Sequence, residues 1–124
     1  MALRGVPTGT YTLKNVSTGT VLDLSYGNAG DDIAINGFQS YGGENQRWRL
    51  EWTGKGHGFT LRNVKSGTYV SFEKFRNGIP ITGSKKRQTW KIIVADGGYA
   101  IEAEDHRHYV FDIKASNPRN ETAV

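Results

Sequence analysis

YTLKNVSTGTVLDL at residues 11–24 returns as FTLRNVKSGTYVSF at residues 59–72. Thr12, Leu13, Asn15, Val16, Gly19 and Thr20 reappear as Thr60, Leu61, Asn63, Val64, Gly67 and Thr68, at a constant offset of 48. Further along, Gln46-Arg47-Trp48 reappears as Gln88-Thr89-Trp90. A weaker third copy starts at Gly98 with YAIEAEDHRHYVFDI, where Val110-Phe111-Asp112-Ile113 lies over Val21-Leu22-Asp23-Leu24. A unit repeated at this period cannot bury its apolar face alone and has to pack against its copies.

The local signals inside each unit are those of strands. Tyr11 and Leu13, then Val21, Leu22 and Leu24 after a turn at Ser17-Thr18-Gly19, form short runs with partial alternation. Asn28 to Asp32 reads as a turn, Ile33-Ala34-Ile35 as a buried strand, and Ser40-Tyr41-Gly42-Gly43 as a loop before a strand over Trp48-Arg49-Leu50-Glu51-Trp52. No stretch has the periodicity of an amphipathic helix. The expectation is an all-β chain of one domain, residues 1–124, built of three units at about 9–54, 55–95 and 96–124. Each unit contributes about four strands, and together they close into a barrel-like body that removes exposed sheet edges.

Composition agrees with many turns and short strands. Glycine supplies 16 of 124 residues and hydrophobic residues only 36 %, a poor mixture for a helical bundle. The net charge of +4 is mild, and no basic stripe interleaved with aromatics marks a nucleic-acid groove. Lys85-Lys86-Arg87, the densest basic cluster, reads as a solvated turn. No apolar run is long enough to span a bilayer, and MALRGVPTGT has no signal-peptide core, so no membrane insertion is expected. The absence of cysteine fits a reducing compartment and a cytoplasmic or non-classically released protein. Asn15-Val16-Ser17 and Asn120-Glu121-Thr122 are read as chance sequons.

A repeat that ends in Q-x-W and opens on V-L-D-L or V-F-D-I resembles the ricin B-type β-trefoil, most of all the single-domain lectin-like trefoils of mushrooms. The resemblance runs from Gly9 to Val124. It implies that Trp48 and Trp90 fill the core, and that Gln46 and Gln88 brace backbone groups otherwise buried without partners. It also implies a sugar site in each intact repeat. Such a site takes an Asp from the strand after the first turn, aromatics from the loop before Q-x-W, and the Asn just before the Gln. The chemistry suits a sugar: a carboxylate accepts from adjacent hydroxyls, an amide donates and accepts, and a ring covers the C–H face.

The first repeat holds the whole set. Asp23 would anchor hydroxyls, Phe38 would stack, Asn36 and Asn45 would fix orientation, Tyr41 would close a rim, and Gln46 would support the loop from beneath. Phe38 departs from the Trp or Tyr common in the family, and a phenyl ring stacks without hydrogen-bonding. In the second repeat Ser71 replaces the Asp, Arg87 replaces the Asn, and the loop Ile79 to Ser84 offers no ring; Phe72 and Phe75 fall too early and read as packing. The third repeat keeps Asp112 in Asp112-Ile113-Lys114-Ala115-Ser116-Asn117-Pro118, but the sequence ends at Val124. Roughly fifteen residues, a strand and its loop, are missing by comparison with the first repeat. A barrel lacking that strand has an unpaired edge, so a homodimer or strand exchange is one expectation, a truncated product the other.

Other chemistries lack their residue sets. His106 and His108 with Asp105 are too few for a metal site, and Asp31-Asp32 has no Glu at calcium-loop spacing. No nucleophile elbow, phosphate loop or carboxylate pair occurs, so no enzyme and no cofactor are expected. The resemblance implies a lectin for galactose or N-acetylgalactosamine termini, with glycans as partners. A shallow monosaccharide site should bind on the order of 1 mM, about 4 kcal/mol, and would gain avidity from further sites in an oligomer. Mushroom trefoils also include protease inhibitors, for which Gly54-Lys55-Gly56-His57 and Ser84-Lys85-Lys86-Arg87 are candidate loops, and an accessory subunit of tyrosinase.

Overall fold

The computed structural model describes residues 7–16, 18–54, 58–71, 81–95, 98–103, 106–110 and 122–123. The fold is an all-β trefoil. A first set of four strands is β1 (Gly9–Tyr11), β2 (Val21–Leu24), β3 (Ile33–Phe38) and β4 (Trp48–Trp52). A second set is β5 (Gly58–Asn63), β6 (Tyr69–Ser71), β7 (Thr82–Ser84) and β8 (Trp90–Ala95). The third comprises β9 (Gly98–Ala103), β10 (His106–Val110) and β11 (Thr122–Ala123). Among the described residues the only helical pieces are single 3-10 turns at Ser25–Gly27 and Glu44–Gln46, and no helix is long and apolar enough to cross a membrane.

The pairing sorts the strands into two tiers. First and fourth strands make an antiparallel wall in the order β1, β4, β5, β8, β9. Second and third strands make the hairpins β2–β3 and β6–β7, which β3 joins through Ile33↔Gly83 and Ala34↔Thr82. The far end of β3 takes β11, with Thr122 opposite Gly37 and Ala123 opposite Asn36. Residues close to the end of the sequence therefore lie beside the first repeat, a contact its pattern does not announce.

The sequence repeat is a repeat of hydrogen bonds. In the first unit Asn15 N–H donates to Thr20 O at 2.8 Å and Gly19 N–H to Asn15 O at 2.9 Å. In the second, Asn63 N–H donates to Thr68 O at 2.7 Å and Gly67 N–H to Asn63 O at 2.8 Å. Both glycines sit in the left-handed region, at φ +78° and +77°, where a side chain would be strained. The Asn side-chain oxygens accept turn N–H groups, from Thr18 in one copy and from Lys65 and Ser66 in the other.

Trp48 and Trp90 are buried in a common core with Leu22, Leu24, Ile35, Phe59 and Leu61. Each indole N–H satisfies the carbonyl of its own repeat's second strand: Trp48 donates to Leu22 O and Trp90 to Val70 O, both at 3.1 Å. Leu22 and Val70 are themselves related by the 48-residue offset. The tryptophan thus both fills the core and ties the wall to the hairpin tier.

Two local expectations need correction. Ile33-Ala34-Ile35 is not a uniformly buried strand: β3 continues to Phe38 and alternates, with Ile35 and Gly37 buried and Ala34 exposed. One face covers the core and the other carries polar and aromatic residues, as pleating requires. Thr82–Ser84 is a strand and not a loop. Its weak intrinsic preference is overridden by pairing on both edges, with β6 and β3.

Candidate functional site

The burial of Leu22 and Leu24 on the core side of β2 turns Asp23 to the opposite face. Asp23 lies directly across from Asn36, and Val21 across from Phe38. Opposed residues of an antiparallel pair share a face, so Asp23, Asn36 and Phe38 stand together. Asp23 is only 5 % exposed. A carboxylate this buried needs donors, and two consecutive side chains of the Glu44–Gln46 turn supply them. Asn45 Nδ2 donates to Asp23 Oδ1 at 3.2 Å and Gln46 Nε2 to Oδ2 at 2.9 Å.

The same two amides set the loop that follows β3. Gln46 Nε2 also donates to Gln39 O at 2.9 Å, and its Oε1 accepts the Tyr41 backbone N–H at 3.0 Å. Asn45 Nδ2 reaches Leu24 O at 3.1 Å, and its Oδ1 accepts the Tyr41 hydroxyl at 3.1 Å. Tyr41 in turn meets Phe38 edge-to-face, with ring centroids 5.8 Å apart and planes at 86°. Gly43 is required by proximity: a Cβ there would lie 2.5 Å from Asn45 Oδ1 and 2.5 Å from Tyr41 Cε1. From the second repeat, Asn63 Nδ2 supports the Asn45 carbonyl at 2.9 Å.

All six residues singled out from the sequence fall in this one neighbourhood. Asp23, Asn45 and Gln46 are buried, Asn36 and Phe38 half-buried, and Tyr41 exposed. Asn36 donates to Ser25 Oγ at 2.9 Å. Gln46 does more than brace backbone groups, because its amide is bonded to the carboxylate itself. What the arrangement can do is hold a carboxylate in a fixed orientation, through two buried amides, beside two rings, a set suited to a polyhydroxylated ligand.

Sequence reasoning passed over Tyr26 and Lys65. Tyr26 follows the Asp strand in the turn Ser25–Gly27 and has φ +53°, ψ +14°, a left-handed conformation costing a non-glycine residue about 1–2 kcal/mol. The residue is 84 % exposed. Together with Tyr41, Gly43, Glu44, Asn45 and Lys65 it lines a groove of about 350 Å³. The available signal was an aromatic in a polar turn, where the second repeat has Lys74.

The register locates the second repeat's equivalent. Ser71 pairs with Thr82 and Tyr69 with Ser84, so Ser71, Thr82 and Ser84 stand where Asp23, Asn36 and Phe38 stand in the first. This concavity, about 440 Å³, adds Asp31, Asp32, Lys85 and Lys86 to those hydroxyls, and no ring lines it among the described residues. Asp31 accepts the Lys85 N–H at 2.8 Å and the Ser84 hydroxyl at 3.0 Å. The Lys85 backbone bond first, and the Ser84 bond second, hold its carboxyl below the usual carboxylate range. Gln88 Oε1 is buried and has no partner among the described residues, unlike Gln46 Oε1. Lys85, Lys86 and Arg87 are exposed, as a solvated turn should be. Asp105, Asp112, Phe72, Phe75 and the segment 55–57 lie outside the described residues, as do the side chains of His106 and His108. No group of three or more His, Cys, Asp or Glu placed to hold a metal occurs among the described residues.

Residues 3–82 match the family model described as ricin-type beta-trefoil lectin domain-like. The chain belongs to that family. Over 97 % of its length the lectin domain superposes on 85 % of the Rhizoctonia solani agglutinin, with 57 % identity and a TM-score of 0.94. The Macrolepiota procera ricin B-like lectin, solved in complex with lactose, is 28 % identical over 95 % of this chain and 84 % of its own, with a TM-score of 0.83. The designed three-fold symmetric protein ThreeFoil shares the fold at 22 % identity, with a TM-score of 0.85 over 92 % of this chain and 85 % of that one. Comparison with curated proteins gives no match. Family and agglutinin likeness make the chain a lectin domain and not an enzyme.

Proposed function

We propose that the chain is a carbohydrate-binding lectin whose first repeat holds a galactose-type sugar over Asp23. One observation carries the reading: a buried carboxylate fixed by the Asn45 and Gln46 amides, on the same sheet face as Asn36 and Phe38. A carboxylate oriented in advance accepts bonds from two neighbouring sugar hydroxyls without first having to order itself. Phe38, half-buried and braced by Tyr41, meets the apolar C–H face. The choice of galactose rests on the lactose bound by the Macrolepiota procera relative. N-acetylgalactosamine termini belong to the same class.

Among the described residues the second repeat offers hydroxyls and lysines where the first offers a carboxylate and a ring, so the proposed galactose site is assigned to the first repeat. The test is a glycan array probed with the protein and with Asp23→Ala. Signal on galactose-terminated glycans that disappears in a cooperatively folded Asp23→Ala variant supports the assignment. Unchanged signal in the variant rules it out.

A further inference from the structure

We infer that the sugar site continues into the groove between Tyr26 and Tyr41, which takes the second residue of a neutral oligosaccharide. This rests on the galactose reading of the Asp23 site and extends it. Asn45 joins the two spaces: its side chain is bonded to Asp23, and it also lines the groove. Tyr41 is shared in the same way, touching Phe38 on the site and lining the groove. A glycosidic bond that leads away from a sugar over Asp23 past Asn45 therefore enters a space bounded by two tyrosine rings.

The chemistry of the groove fits a saccharide. Tyr26 and Tyr41 are 84 % and 58 % exposed, and large rings left in water beside a polar site suit the C–H faces of sugars. Glu44 accepts from hydroxyls and Lys65 donates to them, so both signs of charge are present and a neutral ligand matches better than an acidic one. Lys65 reaches the groove from the second repeat. Its stem lies so close to Gly27 that a Cβ there would come within 2.5 Å of Lys65 Cδ. Tyr26 keeps its ring at the groove only by holding a backbone conformation that glycine adopts freely. A residue selected for stability alone at this position would be glycine.

The test compares methyl β-galactoside with lactose by calorimetric titration, using the intact chain, Tyr26→Gly and Lys65→Ala. The intact chain should bind lactose about fivefold more tightly than the monosaccharide. Tyr26→Gly should bring that ratio close to one while leaving methyl β-galactoside affinity unchanged and raising Tm. Lys65→Ala should lower the ratio in part. A ratio near one in the intact chain, or a ratio unmoved by Tyr26→Gly, overturns the groove while leaving the Asp23 site standing. Absence of methyl β-galactoside binding in the intact chain overturns both.

Discussion

Asn45 grips Asp23 and Tyr41 at once, giving its Nδ2 hydrogen to the carboxylate at 3.2 Å and taking the phenol hydrogen on Oδ1 at 3.1 Å. An amide is the one side-chain group of this length that donates and accepts in that geometry. Asn45→Asp would set two buried carboxylates against each other and remove the donor. The expected cost is about 3 kcal/mol at neutral pH. The repulsion raises a carboxyl pKa of the pair in the folded state, so stability is lost as pH rises and recovered as pH falls toward 4.5. Urea denaturation at the two pH values checks it, and equal losses at both contradict the bond as described.

Phe38 meets Tyr41 and lies opposite Val21, on the sheet face away from Leu22 and Leu24. Phe38→Ala should therefore weaken galactoside binding about tenfold, near 1.4 kcal/mol, with only a small fall in Tm. Phe38→Trp should tighten binding. Titration of both variants by nuclear magnetic resonance reads the order directly.

The two tryptophans make equivalent bonds in repeats of different content. Trp48→Phe and Trp90→Phe should each lose about 2 kcal/mol, from an unpaired Leu22 or Val70 carbonyl and a small void. Trp48→Phe should also reduce binding, because Leu22 adjoins Asp23 on β2, whereas Trp90→Phe should leave binding intact. Denaturant melts paired with sugar titrations separate the two effects.

Asp31 couples the repeats through acid-sensitive bonds to Lys85 N–H and the Ser84 hydroxyl. Its folded pKa is lowered, so the stabilisation is fully present above the ordinary carboxylate value of about 4 and disappears as pH falls through the lowered one. Asp31→Asn should melt below the parent at pH 7, and the gap should narrow by pH 3. Thermal melts across that range measure it.

How far the sequence could be read depended on whether a feature was local. The Asn15 and Asn63 turns were legible because their glycines, hydroxyls and amides act within five residues. The grouping of Asp23, Asn36, Phe38, Tyr41, Asn45 and Gln46 in one neighbourhood was legible through a family pattern that fixes spacing. Gln46's bond to the carboxylate was not, since it depends on a 3-10 turn bringing consecutive amides to a strand 23 residues earlier. β7 was hidden because Thr82-Gly83-Ser84 has only a weak strand preference of its own and is held by two neighbours. Tyr26 escaped notice because an exposed ring in a turn has meaning only when a groove is found beside it.

The most direct test is a backbone amide spectrum of the intact chain titrated with methyl β-galactoside. The account predicts shifts at Asp23, Asn36, Phe38, Tyr41 and Asn45, with Ser71, Thr82 and Ser84 unmoved. Shifts confined to the second group, or none at millimolar sugar, would contradict a galactose site in the first repeat.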